Sequence, residues 1–181
     1  MTVIVTRRLL IRDYLETDLD DLHWLLSDEV NMYFLDDIST STLEETSQNL
    51  KMAMANANGH YFCLINKNTG EYIGSVGYTI TAETPVGKIV HMGYFILLEH
   101  HNMGYTTEAV RKILEFAFKD DNCVRVTTSC HKDNIPSRRV MEKAGFRKEG
   151  ERLKAAWHDG EMKDRLDYAI NRDEFEANMS R

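Results

Sequence analysis

The chain has 181 residues, 43% of them hydrophobic, enough for one well-formed core and too few for two ordinary domains, so a single domain over 1–181 is expected. Acidic residues outnumber basic ones 29 to 22, for a formal charge of −7 with no dense Lys/Arg block, which disfavours nucleic acid as a partner and suits a cationic small molecule or peptide. Cys63, Cys123 and Cys130 are sparse and odd in number, the start MTVIVTRRLLIRDY has no signal-like apolar segment, and no run nears the roughly 18 apolar residues of a membrane span, so a cytoplasmic protein without a membrane partner is expected.

Residues 7–14 (RRLLIRDY) read as a first strand, and from Thr17 a polar opening leads into a helix carrying Leu19, Leu22, Leu25 and Leu26. On that helix Trp24 reads as a core residue and His23 as a surface one. Residues 31–37 (NMYFLDD) are aromatic without a period and either line a pocket or cap the core. Ser41 to Glu44 fits the capping-box pattern, and the helix it starts runs through Leu50 and Met54 to a stop at Asn58 and Gly59. Residues 61–65 form a strand apolar on both faces, 66–70 (NKNTG) a turn and 72–80 the returning strand, in which Gly74 and Gly77 signal bends or close backbone approach. After a turn at 84–87, the apolar run 92–98 makes a third strand of an antiparallel meander.

From Tyr105 the residues Ala109, Val110, Ile113, Leu114 and Ala117 recur at helical spacing to about Phe118, with Glu108 in the first turn. The β-branched run 123–129 is the next strand, and the strand, helix, strand succession favours parallel pairing with the 92–98 strand. Asp133 or Asn134 then caps a helix with Pro136 in its first turn, Val140, Met141 and Ala144 inward, and Gly145 at its stop. Residues 146–153 and 163–171 are the last strands, joined through the Asp159-Gly160 turn signal, and a polar tail follows from Arg172.

The chemistry gathers at the turn Glu99, His100, His101, Asn102, Met103, Gly104. A strand feeding a helix through a glycine turn directs several unpaired N–H groups one way, which makes an anion site, although a plain strand-to-helix connection has the same outline. There is no G-x-x-x-x-G-K-[ST], and Gly104 lacks the neighbours for G-x-G-x-x-G, so a nucleoside triphosphatase or a dinucleotide dehydrogenase is disfavoured.

Two segments, HHNMGYTTEAV and NIPSRRVMEKAGF, resemble in the right order the acetyl-CoA pyrophosphate loop and the second signature of the GNAT superfamily of N-acetyltransferases. With the W-x-D-G hairpin they are most similar to its branch of ribosomal-protein N-terminal acetyltransferases. The resemblance covers nearly the whole chain. It implies an α/β fold with a single mixed, mostly antiparallel sheet of six to seven strands and helices on both faces, and acetyl-CoA as cosubstrate without a metal. The loop pattern [RQ]-x-x-G-x-[GA] is met by His101, Gly104 and Thr106, so both flanking positions depart from it.

On this resemblance, a bulge near Phe95, Ile96 and Leu97 opens an edge for the pantetheine arm, and the pyrophosphate rests on the amides of His101, Asn102, Met103, Gly104, Tyr105 and Thr106. Asn134 hydrogen-bonds the pantetheine amides, and Ser137 is the candidate acid for the departing sulfur, because Met141 stands where much of the superfamily has a tyrosine. A first-turn serine that merely caps its helix is the plain alternative. The branch's glutamate position is Ala156 here, so the base stays open among His91, Glu99, His158 and water. A metal role for His100 and His101, and a nucleophilic Cys130 beside His131, are both disfavoured, since adjacent side chains diverge. The expected reaction is direct acetyl transfer to a primary amine, with a protein or peptide N-terminus favoured over a polyamine, an amino acid or an aminoglycoside. A CoA-binding sensor without turnover is the rival, and a homodimer, common among relatives, is undecided by the residues.

Overall fold

The computed structural model describes residues 1–35 and 38–179, so Asp36 and Asp37 of the aromatic stretch lie outside the described residues. The chain gathers into two compact units, Met1–Tyr78 with Gly93–Ala109, and Thr79–Met92 with Val110–Arg181.

In the first unit, β1 (Val3–Val5) pairs antiparallel with β2 (Leu9–Asp13), and β2 with β3 (Gly59–Asn66) in the register Leu9↔Asn66 to Asp13↔Phe62. Between β2 and β3 come α1 (Leu19–Ser27), entered through a 3-10 turn at Glu16–Asp18, and α2 (Leu43–Ala55). Leu22, Leu25 and Leu26 of α1 and Leu50 of α2 pack with Tyr14, Met32, Cys63, Tyr72 and Leu97 into a core. Each such buried side chain contributes about 1.5–3 kcal/mol. Trp24 is the exception to expectation: it is 61% exposed, while His23 turns inward and its Nδ1 lies 2.8 Å from Thr46 Oγ1. Leu22, Leu25 and Leu26 already fill the buried stripe of so short a helix, and Trp24 falls on its far side. The capping box forms one residue later than read, with Thr42 and Glu45, and α2 ends at Asn56 in the left-handed region.

β4 (Tyr72–Thr84) and β5 (Gly87–Ile96) run through both units, as does α3 (Tyr105–Lys119), whose Ala109, Val110, Ile113, Leu114 and Ala117 are fully buried as their spacing requires. In the second unit β5 pairs parallel with β6 (Cys123–His131), from Lys88↔Cys123 to His91↔Thr127. Next come α4 (Ile135–Ala144), β7 (Arg147–His158) and β8 (Glu161–Asn171), which pairs antiparallel with both β6 and β7. The β7–β8 turn is the Asp159-Gly160 pair, both residues at positive φ. β7 outlasts its expected end at Leu153 because the register slips between Arg152↔Arg165 and Ala156↔Lys163, which leaves Leu153 exposed and breaks the alternation.

The strands form one mostly antiparallel sheet in the order β1-β2-β3-β4-β5-β6-β8-β7. Eight strands among the described residues stand against the six to seven expected. The extra one, β1, is a three-residue edge strand with little buried side chain to betray it. The polar tail is helical: Arg172–Met179 forms α5, held by Phe175, whose ring lies 5.1 Å from that of Phe118. A single buried residue per helix leaves no period to read. No helix among the described residues is long and apolar enough to cross a membrane.

Candidate active site

In the first unit, β5 ends on half-buried Phe95 and buried Ile96, and the Leu97 amide donates to the Ile73 carbonyl at 3.0 Å. A Cβ on Gly74 would stand 2.1 Å from the Phe95 carbonyl oxygen, so only glycine lets β4 lie this close. A 3-10 turn at Leu98–His100 follows, and then Asn102 (φ 60°) and Gly104 (φ 79°) in the left-handed region. Alternation of left-handed with ordinary residues swings successive N–H groups into a concave nest for an anion. The amides of Gly104, Tyr105, Thr106 and Thr107 have no acceptor within α3, whose dipole also favours negative charge there. His101 is turned back: its amide donates to Leu98 O at 3.0 Å and its Nε2 lies 2.9 Å from Ile96 O. It braces the turn from behind.

Sequence reasoning missed Arg8. Its Nη1 donates to the Met103 carbonyl at 2.8 Å, its Nε pairs with Glu108 Oε2 at 2.8 Å, and its guanidinium carbon lies 4.4 Å from the centre of the Tyr105 ring. Glu108 Oε1 also accepts from the Arg8 amide at 2.9 Å and from Thr6 Oγ1 at 2.6 Å. Burial pushes the Glu108 carboxyl up, but the hydrogen bonds from Thr6 and Arg8 outweigh it and hold the group below the ordinary carboxylate range. About a hundred residues of chain separate these partners, and no local pattern links them.

In the second unit, Asn134 caps α4: its Oδ1 accepts from the Ser137 amide at 3.1 Å, with Pro136 in the first turn. Its acceptor oxygen is thus committed to the helix, and Nδ2, which has no partner among the described residues, is what it offers a ligand. Ser137 is not the cap. Its side chain hydrogen-bonds Cys130, whose thiol burial pushes up to about 11, so Cys130 stays protonated and is no nucleophile near neutral pH. Met141 is fully buried and belongs to the core.

Among the candidate bases, His91 is exposed as a residue, yet desolvation of its ring, followed by the charges of Arg165 and Arg152, lowers it below the ordinary histidine range, against the pull of Asp167. His158 is buried with its ring 4.8 Å from that of His131, and Glu99 is exposed in the 3-10 turn. Among the described residues no group of three His, Cys, Asp or Glu side chains is placed to hold a metal.

The cap that Asn134 makes and the ligand contact expected of it can be tested separately. Asn134→Asp keeps the cap and costs little stability, yet loses the Nδ2 donor and should weaken CoA binding about tenfold, whereas Asn134→Ala should lose both the affinity and about 1 kcal/mol of stability. Titration calorimetry with CoA beside urea denaturation reads the two; wild-type affinity in Asn134→Asp removes the residue from the ligand site.

A family model described as an acetyltransferase (GNAT) domain matches residues 8–147. An uncharacterized N-acetyltransferase of Bacillus subtilis (strain 168), YnaD, is 32% identical over 174 residues, covering 95% of this chain and 98% of its own. The chain's fold is also that of two enzymes of known structure. The spermidine N-acetyltransferase from Vibrio cholerae, in complex with CoA and spermine, aligns with a TM-score of 0.84 at 16% identity, over 94% of this chain and 99% of its own. The ribosomal-protein-S5-alanine acetyltransferase from Vibrio fischeri aligns with a TM-score of 0.85 at 21% identity, over 97% and 99%. With the motifs, the fold and these matches together, the chain belongs to the GNAT family and is an acetyl-CoA-dependent N-acetyltransferase.

Proposed function

We propose that the chain, acting as one catalytic domain, transfers an acetyl group to the N-terminal amine of a protein or peptide by direct attack in a ternary complex. A polyamine or an aminoglycoside is the alternative acceptor. The observation that carries this reading is the opening of α3, where Asn102 and Gly104 stand at positive φ ahead of the first helical amides, a form that suits a diphosphate. Acetyl-CoA, when bound, supplies the acyl group as a thioester. Phe95 and Ile96 offer backbone groups to the pantetheine arm and the acyl carbonyl, whereas Leu97 is taken up by the Ile73 carbonyl and the His100 amide, and Asn134 Nδ2 donates to a pantetheine amide. His91, kept neutral near pH 7, takes the proton that the amine loses as its nitrogen bonds to the acyl carbon, and Ser137 protonates the sulfur as the C–S bond breaks. An acidic surface draws a cationic amine of any of these kinds, and the ribosomal-protein branch motifs favour the N-terminus.

Thiol release from acetyl-CoA, measured against N-terminal peptides, polyamines and an aminoglycoside, tests the reading. Turnover with a peptide should exceed the others about tenfold or more. CoA binding without release for any amine would instead favour a sensor, and preference for a polyamine would replace the acceptor while keeping the reaction. In the same assay His91→Gln should lower kcat about 10- to 100-fold and remove the acid limb of the profile, which in the wild type lies below the ordinary histidine value of about 6.5. An unshifted limb excludes His91 as the base.

A further inference from the structure

The diphosphate nest has a carboxylate beside it. Glu108 lies in the first turn of α3, where it complements the helix dipole but would repel a bound diphosphate. Arg8, which reaches the same turn just ahead of β2, pairs with both oxygens of that carboxylate, through its amide and its Nε. It also fixes the turn itself, by holding the Met103 carbonyl at 2.8 Å and stacking on Tyr105, whose hydroxyl in turn accepts from Asn66 Nδ2 at 3.4 Å. A Cβ on Gly104 would meet Arg8 Nη2 at 3.4 Å, so the guanidinium lies directly against the left-handed residue that shapes the nest. The family's loop pattern places a cationic or long polar side chain at the position of His101, and that ring is occupied with the Ile96 carbonyl.

We propose that Arg8 is a positioning residue for the cosubstrate: it neutralises Glu108 and locks residues 103–105 in the conformation that aims their amides at the diphosphate. This deepens, and rests on, the assignment of that turn to acetyl-CoA. Arg8 does its work in the free enzyme. One planar cation holds a carbonyl, a carboxylate and an aromatic face together, a combination that a lysine's point charge cannot reproduce.

The test is steady-state kinetics of Arg8→Ala, Arg8→Lys, Glu108→Gln and the Arg8→Ala/Glu108→Gln pair with acetyl-CoA varied, each variant also followed by thermal melting. Arg8→Ala should raise the KM for acetyl-CoA about 10- to 50-fold with kcat within about threefold, and Arg8→Lys should recover part of the loss. Glu108→Gln alone should change KM by about threefold or less, and adding it to Arg8→Ala should bring KM back at least about fivefold by removing the uncompensated charge. A residue that merely stabilises the fold would shift the melting temperature without this split or this rescue. Arg8→Gln, which keeps a donor for Met103 but no charge, serves if Arg8→Ala does not fold, with the same KM rise expected. Gly104→Val separates the two readings. If it raises KM while the Arg8 variants stay within twofold of wild type, the role of Arg8 is overturned and the cosubstrate site stands; if it too leaves KM unchanged, the site assignment itself fails.

Discussion

Ser137→Ala should lower kcat about a hundredfold and leave the KM for acetyl-CoA within about threefold. Asn134 supplies the cap of α4, so the serine hydroxyl is not needed to hold the N-terminus, and replacing it with alanine costs no capping energy. Its side chain hydrogen-bonds Cys130, whose thiol stays protonated near neutral pH, so the hydroxyl is held in one place in a partly buried setting. Met141 carries no exchangeable proton and is fully buried, so the tyrosine that serves much of the superfamily has no substitute at its own position. The departing group is an alkyl thiol, about one unit less acidic than a cysteine side chain at about 8.5, so it needs a proton near neutral pH and leaves as the thiolate only well above it. The defect in Ser137→Ala should therefore be largest near pH 7 and shrink as the pH rises past about 10. A kcat equal to that of the wild type at pH 7 would remove Ser137 from the chemistry.

Gly74→Ala should destabilise the fold by about 3 kcal/mol or more. The added methyl would meet the Phe95 carbonyl oxygen at 2.1 Å and the Ile96 Cα at 2.9 Å, and both belong to the backbone. Neither can rotate away, so β4 and β5 must separate where β5 presents Phe95 and Ile96. Gly70→Ala is the matched control. It has φ +77° but nothing within 4 Å of an added Cβ, so it should cost only about 1 kcal/mol, the penalty of a left-handed alanine. Urea denaturation of the pair, with CoA titrated into each, checks both the size of the difference and the expected loss of affinity in Gly74→Ala. Equal midpoints for the two variants would show that the strands give way without cost.

The parts of this fold that were legible in the sequence share a physical property: they declare themselves within one turn or one strand. The apolar stripe of α3, the Asn134, Pro136 and Gly145 punctuation of α4 and the Asp159-Gly160 turn are set by backbone preferences of a few neighbouring residues. The inward face of α1 is readable for the same reason, but the outward face is not, and nothing local signals that Trp24 lies on it. β1 and α5 bury so little side chain that no period reached the sequence.

At the site the division is sharper. Gly104 and the Asn134 to Phe146 run announce a nest and a cap because close backbone approach and helix termination admit few residue types. The tertiary structure alone decided what surrounds them. It brought Arg8 onto Met103, Tyr105 and Glu108, turned His101 onto the strand behind it, and put Cys130 beside Ser137. Those contacts join residues that are distant along the chain or turned by packing. A side chain's partner across such a distance depends on how strands register and helices pack, which no local spacing encodes.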